Sequence, residues 1–288
     1  MGPALPDGNG LLAPHRVGPG TPGVIQERLH RTGLIVLEGL SSRAAVVDLA
    51  SGIMTIIAHR DSDLDGLTTL HNTGYRGARP GFGGFTGDEL APHTERSGIP
   101  APPRLMLLVC GHVADQGGDC LLTDGRAVHD ELWAHHPEAA RAFSQPRTAF
   151  FGAGDGAGGG HATQVFTKHP GGRWSVRLRT DELARWSPLT QPYLPTLRTA
   201  VAAHQVSLRL TSGQGYLLDN TRWLHARAAF TGSRLCWRAL GEPRFSLPPG
   251  FAGADPPRAG AGHTSGWSPL ALTPIFSDLA RSWPTPYP

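Results

Sequence analysis

The chain of 288 residues has a formal net charge of +3, a sequence pI near 9.0 and 39% hydrophobic residues, enough for a packed core. It has no dense Lys/Arg cluster and no apolar run approaching ~18 residues, so we expect no nucleic-acid partner and no membrane span. Three cysteines without CxxC spacing (Cys110, Cys120 and Cys236), and the lack of a signal-peptide pattern, predict a cytoplasmic protein without a disulfide framework.

The N-terminal half combines Gly- and Pro-rich segments with short apolar runs. Residues 1–23 lack periodicity and are expected to form a flexible lead-in, whereas residues 24–288 are expected to form a single domain. A helix is predicted after an N-cap at Ser41 or Ser42, and a long Gly-rich loop over 73–92. Strands are predicted in 33–40, 67–72, 104–113 and 117–125, and a second helix in 127–143.

The C-terminal half contains further short strands. A Gly-rich loop (152–160) precedes a hairpin whose returning arm is 171–179, and a helix lies within 194–208. Closely spaced strands follow in 213–220, 222–230 and 233–240, and the Pro-rich segment of about 243–288 is irregular. Many short strands joined by turns, with few helices, indicate a mainly β sandwich or barrel with flanking helices.

Three His-x-acid pairs are candidates for half of a metal site: His59/Asp61, His93/Glu95 and His129/Glu131. Two histidines and one carboxylate are the usual ligands of non-haem Fe(II) oxygenases. Residues i and i+2 of a strand point to the same side, so His93 and Glu95 could share a metal. The His129 pair lies in a predicted helix, where this spacing separates the side chains by about 200°. The His59 pair remains a weaker alternative.

A third ligand is offered by His225, in the apolar segment 222–230. Standing alone, it would be read as a core histidine whose ring is satisfied by the backbone. In the next strand, however, Arg234 and Arg238 share one face with Cys236. Buried guanidinium groups need anions, which either a dicarboxylate co-substrate or protein carboxylates could supply.

These segments together resemble the taurine dioxygenase and clavaminate synthase superfamily of Fe(II)/2-oxoglutarate-dependent oxygenases. The resemblance covers roughly residues 85–240 and is carried, in order, by His93-Thr94-Glu95, GGDCLLTDG, LLDNTRWLHARAAF and Arg234-x-x-x-Arg238. It implies a double-stranded β-helix (jelly-roll) core, with Fe(II), 2-oxoglutarate and O2 as cofactors.

The resemblance also implies roles for individual residues. His93, Glu95 and His225 would be the iron ligands, and Arg234 would bind the distal carboxylate of 2-oxoglutarate. Arg238 would support the co-substrate or an anionic group of the substrate, and could take over the carboxylate role. Cys120 occupies a position where the family usually has a threonine that contacts 2-oxoglutarate, and a thiol is a weaker donor. Arg227, Arg177 and Arg179 are candidate substrate contacts.

The implied reaction is hydroxylation of an unactivated C–H bond in a small molecule, with release of succinate and CO2. The glutamate ligand resembles the branch in which many enzymes act on amino acids or amino-acid-derived intermediates. Desaturation or cyclisation of a biosynthetic intermediate is an alternative outcome. A cupin-like isomerase or lyase without 2-oxoglutarate, and a non-catalytic jelly-roll binding protein, are the competing interpretations.

Overall fold

The structure is a computed structural model that describes residue 10 and residues 12–17, 22–74, 81–154 and 159–254. The α-helices are α1 (Pro22–Thr32), α2 (Arg43–Ile53), α3 (Gly125–His135), α4 (Pro137–Phe143) and α5 (Leu194–Ala203). The strands are β1 (Arg16–Val17), β2 (Leu34–Leu37), β3 (Met54–Ile56), β4 (Thr68–His71), β5 (Leu90–His93), β6 (Leu105–His112), β7 (Gln116–Gly117), β8 (Cys120–Asp124), β9 (Ala149–Gly152), β10 (Gly160–Thr163), β11 (Phe166–Lys168), β12 (Trp174–Val176), β13 (Ala184–Trp186), β14 (Gln205–Leu208), β15 (Gly215–Asp219), β16 (Trp223–Arg227), β17 (Phe230–Thr231) and β18 (Leu235–Pro243).

Two sheets form the body of the fold. The larger follows the order β1-β2-β15-β6-β18-β3, with β4 also paired to β18, and the smaller follows β14-β8-β16-β5. Apolar side chains of both sheets form one buried cluster, which includes Met106 and Tyr216 of the larger sheet and Leu122 and Trp223 of the smaller. Two mostly antiparallel sheets that share a core in this way form the double-stranded β-helix expected from the sequence.

Helices cover the outer faces of the sheets. Ile25 and Leu29 of α1 and Val46 and Ala50 of α2 pack on Leu107 and other residues of the larger sheet. Helices α3 to α5 pack with β9, β11 and β12 in a separate buried cluster. None of the helices in the described ranges is long and apolar enough to cross a bilayer.

Most predicted elements are confirmed, and the N-cap is Ser42, whose side chain accepts a hydrogen bond from the Ala45 amide. The following details differ from the expectation. The helix predicted in 127–143 is broken at His136, because Pro137 starts a new helix and disfavours α-helical backbone in the residue before it. The expected lead-in ends in the ordered strand β1, which pairs with β2, and in the first turn of α1. Much of that lead-in, and residues 255–288 of the Pro-rich segment, lie outside the described residues.

Candidate metal centre

A cavity of about 850 Å³ opens between the two sheets. Strands of both sheets contribute to its wall: Leu108 of β6 and Tyr216 of β15 come from the larger sheet, and Cys120 of β8 and His225 of β16 from the smaller. The segments around β5 complete the wall, including the turn that follows His93. The cavity is therefore bounded by strands of both sheets and by the segments on either side of β5.

Three of the predicted ligands meet in this cavity. One ligand atom from each of His93, Glu95 and His225 lies within 4.8 Å of the other two. His225 Nε2 is 3.7 Å from Glu95 Oε2, and the two imidazole ring centroids are 4.1 Å apart. Two imidazoles and a carboxylate that converge in this way form a three-ligand set with room for further ligands on the cavity side.

Strand pairing brings the two histidines together. His93 of β5 lies directly opposite His225 of β16, and β16 is held on its other edge by β8. Side chains opposite each other in an antiparallel pair leave the sheet on the same face. His93 Nδ1 lies 2.8 Å from the carbonyl of Ala91, so this nitrogen carries the proton that it donates there. Nε2 of His93 is therefore free to bind a metal.

Glu95 reaches the cluster from a turn and not from a strand. Strand β5 ends at His93, and Arg96 has a φ of 53°, in the left-handed region that non-glycine residues rarely adopt. Asn220 holds the turn: its Oδ1 accepts a hydrogen bond from the Glu95 amide at 2.6 Å, and its Nδ2 donates to the Glu95 carbonyl at 3.0 Å. The amide and the hydroxyl of Thr94 also form hydrogen bonds with the backbone of Leu178.

Replacing the Asn220 clamp tests its importance. Asn220→Ala leaves the buried Glu95 amide without its partner, which we expect to lower the free energy of unfolding by about 1–3 kcal/mol. The same variant should weaken Fe(II) binding roughly 10- to 100-fold, the usual effect of removing a group that orients a metal ligand. Denaturant unfolding and anaerobic Fe(II) titration measure the two effects. Asn72→Ala, at an exposed asparagine, is the control, and unchanged Fe(II) affinity in Asn220→Ala would contradict this role.

The electrostatics favour cation binding at the cluster. Burial alone would raise the pKa of Glu95, but the charge of Arg238, together with electrostatic interactions with His225 and His93, outweighs it and lowers this pKa to about 2. Burial also lowers the pKa of His93 and, more strongly, that of His225. Near pH 7 the cluster therefore presents one ionised carboxylate and two neutral imidazoles, the protonation states that a metal requires of its ligands.

Arg234 is a buried cation without a carboxylate partner among the described residues. Its side chain lies in the wall of the cavity, the residue is 8% exposed, and its guanidinium reaches only the Cys120 sulfur, at 3.8 Å, and the face of the Phe230 ring. Burial raises the pKa of the Cys120 thiol, so the thiol is neutral and does not compensate the charge. A buried guanidinium of this kind favours an anionic ligand.

Arg238 has a different environment. Its Nη1 donates to Glu95 Oε2 at 2.8 Å, so this guanidinium is paired with a residue of the cluster. The sequence left open whether a dicarboxylate co-substrate or a protein carboxylate pairs with these arginines. For Arg238 the partner is a protein carboxylate, that of Glu95. The pair also explains why a carboxylate can be buried beside two neutral rings, since Arg238 balances its charge.

The three candidate substrate arginines have local partners. Arg227 lines the cavity and donates to the carbonyls of residues 83, 84, 86 and 88, so it fixes the segment that precedes β5. Burial and the neighbouring charge of Arg234 lower the pKa of Arg227 to about 10.

Arg179 lines the cavity but forms a two-point ion pair with Asp181. Arg177 lies outside the cavity wall and donates to the carbonyls of Ile99 and Pro100, so the structure does not bring it to the other candidate site residues.

The other two His-x-acid pairs do not form such a cluster. His129 is fully buried in the helical core, where it accepts a hydrogen bond from Trp133 Nε1 and lies 3.0 Å from Asp130. His59 and Asp61 lie in the cavity wall, where they contact each other at 3.2 Å. Over the described part of the chain, only His93, Glu95 and His225 form a group of three potential metal ligands.

Comparison with known proteins agrees with this geometry. The family model "Taurine catabolism dioxygenase TauD, TfdA family" matches residues 11–240. Asparagine oxygenase, solved with Fe(II), 2S,3S-3-hydroxyasparagine and succinate, is 16% identical with a TM-score of 0.63, over 76% of this chain and 77% of that one. Non-heme iron oxygenase OrfP, solved with Fe, succinate and (3S)-hydroxy-L-Arg, is 12% identical with a TM-score of 0.59, over 76% and 81%. PvcB of Pseudomonas aeruginosa is 14% identical with a TM-score of 0.58, over 77% and 82%.

The chain belongs to the TauD/TfdA family of dioxygenases. It is a 2-oxoglutarate-dependent non-haem iron dioxygenase with a jelly-roll fold, as the sequence predicted. Its cofactors are Fe(II), 2-oxoglutarate and O2, and the residues present fit them: a His-Glu-His cluster suits iron, and the uncompensated Arg234 suits a dicarboxylate. An isomerase, a lyase and a non-catalytic binding protein are thereby set aside.

Proposed function

We propose that this enzyme hydroxylates an unactivated C–H bond of a free amino acid or an amino-acid-derived intermediate, with release of succinate and CO2. The observation that carries the proposal is the proximity, in one cavity, of the His93–Glu95–His225 cluster and the buried guanidinium of Arg234. Iron together with 2-oxoglutarate and O2 supplies the oxidising power when bound. The protein binds and orients the reactants and excludes water from them.

Each residue of the site has a distinct role in this proposal. His93, Glu95 and His225 would hold the iron, each through the atom that faces the cluster. Arg234 would form charged hydrogen bonds with the distal carboxylate of 2-oxoglutarate, and Cys120, which lies beside it, would pack against the same group. Arg238 would keep Glu95 ionised and oriented, since it is already paired with that carboxylate.

Two observations support an amino acid as the substrate. The exposed carboxylates of Asp88, Glu89 and Glu182 line the cavity and could accept hydrogen bonds from an ammonium group. Two of the structural neighbours were solved with hydroxylated amino acids, 3-hydroxyasparagine and 3-hydroxyarginine. A cavity of about 850 Å³ has room for 2-oxoglutarate together with a second molecule of this size.

The proposal is tested by a screen of amino acids and their conjugates for substrate-stimulated succinate release. The enzyme loaded with Fe(II) and 2-oxoglutarate should release succinate faster with at least one compound, and mass spectrometry should find that compound with one oxygen atom added. A product that has lost two hydrogen atoms would indicate that the enzyme catalyses desaturation or cyclisation instead of hydroxylation. Failure of every compound to accelerate succinate release would contradict the amino-acid assignment.

A further inference from the structure

Six arginines line the cavity among the described residues, and all but one of them have either a partner in the protein or a proposed ligand. Arg60 is held by Asp61, by the Gly154 carbonyl and by the face of the Phe82 ring. Arg179 is paired with Asp181, Arg238 with Glu95, and Arg227 with loop carbonyls; Arg234 is assigned above to the co-substrate. The remaining arginine is Arg96, whose guanidinium has no hydrogen bond or ion pair with any described residue.

The position of Arg96 is fixed by its backbone. It directly follows Glu95, whose amide and carbonyl are both bound by Asn220, and its own carbonyl accepts a hydrogen bond from the Ile99 amide. Its φ of 53° is one of only two positive values at non-glycine residues in the described ranges. Strained backbone of this kind, held by surrounding hydrogen bonds, is often found where a side chain must be presented to a ligand.

The next residue, Ser97, provides a second unpartnered polar group. Ser97 also lines the cavity and is 1% exposed, and its hydroxyl oxygen has no hydrogen-bond partner among the described residues. A buried hydroxyl without a partner is costly, so a ligand that supplies one is favoured. A guanidinium fork and a hydroxyl on adjacent residues can together donate three hydrogen bonds to one carboxylate.

We propose that Arg96 and Ser97 form a subsite that binds the carboxylate of the primary substrate, beside the iron cluster and separate from the co-substrate arginine. The inference rests on the proposed function and makes it narrower, because it requires a substrate with a free carboxylate. An amino acid amide or ester should be a poor substrate even where its side chain is correct.

The test compares each proteinogenic amino acid with its carboxamide on the enzyme loaded with Fe(II) and 2-oxoglutarate. Calorimetric titration without O2 gives the affinity of each compound, and succinate release with O2 gives turnover. Wild type should bind at least one acid, and bind its amide roughly tenfold more weakly or worse, as expected for the loss of hydrogen bonds to a charged group. In Arg96→Gln the affinity for the acid should fall by a similar factor, so that the acid and its amide bind equally well. The affinity for 2-oxoglutarate should stay unchanged.

Arg147→Gln is the matched control, because Arg147 is exposed, also has a positive φ of 59° and is not in the cavity wall. It should bind acids and amides as wild type does. If acids bind through Arg96 but none stimulates succinate release, the subsite stands and the proposed hydroxylation of these compounds fails. If acids and amides bind and turn over equally, or Arg96→Gln behaves as wild type, the subsite is wrong and the hydroxylase proposal stands. If wild type binds no acid, the subsite is also wrong.

Discussion

His225→Ala should abolish O2-dependent formation of succinate from 2-oxoglutarate. In the proposed site, His225 of β16 would bind iron from the position opposite His93, and its loss would leave only two protein ligands for the metal. Anaerobic titration should show that Fe(II) binding is greatly weakened, whereas the fold should persist, because alanine fits in a strand that is paired on both edges. Succinate assay and metal titration of the same preparation separate loss of iron from loss of structure.

The control for this variant is His135→Ala, at an exposed histidine near the end of α3. It should retain wild-type succinate formation and Fe(II) affinity. Normal turnover in His225→Ala would remove His225 from the iron site, and with it the arrangement proposed here.

Arg234→Ala should raise the concentration of 2-oxoglutarate required for half-maximal turnover by roughly 30-fold or more. Truncating one partner of a buried charged pair costs about 2–5 kcal/mol, and each 1.4 kcal/mol corresponds to a factor of ten. The effect should be specific to the co-substrate, because Arg234 has no carboxylate partner among the described protein residues whose loss would destabilise the fold. Steady-state kinetics at saturating O2, with 2-oxoglutarate varied, measures the change.

Arg185→Ala is the control, since Arg185 is exposed and donates only to backbone carbonyls of its own segment. Its 2-oxoglutarate requirement should match that of wild type. An unchanged requirement in Arg234→Ala would transfer the carboxylate role to Arg238, although that guanidinium is already paired with Glu95.

Much of the fold could be predicted from the sequence because its strands are short apolar runs between turn residues. The buried runs in β2, β6 and β15 have few alternatives to a central strand. Helix α1 was missed because its first residues, Pro22 and Gly23, continue a Gly- and Pro-rich segment. Its buried face is set by Ile25 and Leu29, whose burial depends on tertiary packing that so short a pattern cannot reveal.

The sequence indicated which residues come together in the candidate site but not how the chain positions them. The strand-face argument for His93 and Glu95 selected two residues that do lie close together, but its geometry was wrong, because the strand ends at His93 and Glu95 lies in a turn. The role of Asn220 could not be predicted, because its side chain binds the backbone of Glu95, 125 positions away, and the local sequence indicated only a turn. The local sequence likewise gave no sign that Arg238 pairs with Glu95.

The most direct test of this account is anomalous diffraction at the iron edge from crystals grown without O2 in the presence of Fe(II) and 2-oxoglutarate. We predict a single iron peak bound by His93, Glu95 and His225, with the distal carboxylate of 2-oxoglutarate on Arg234. An iron peak elsewhere, or one that lacks either histidine as a ligand, would contradict the account.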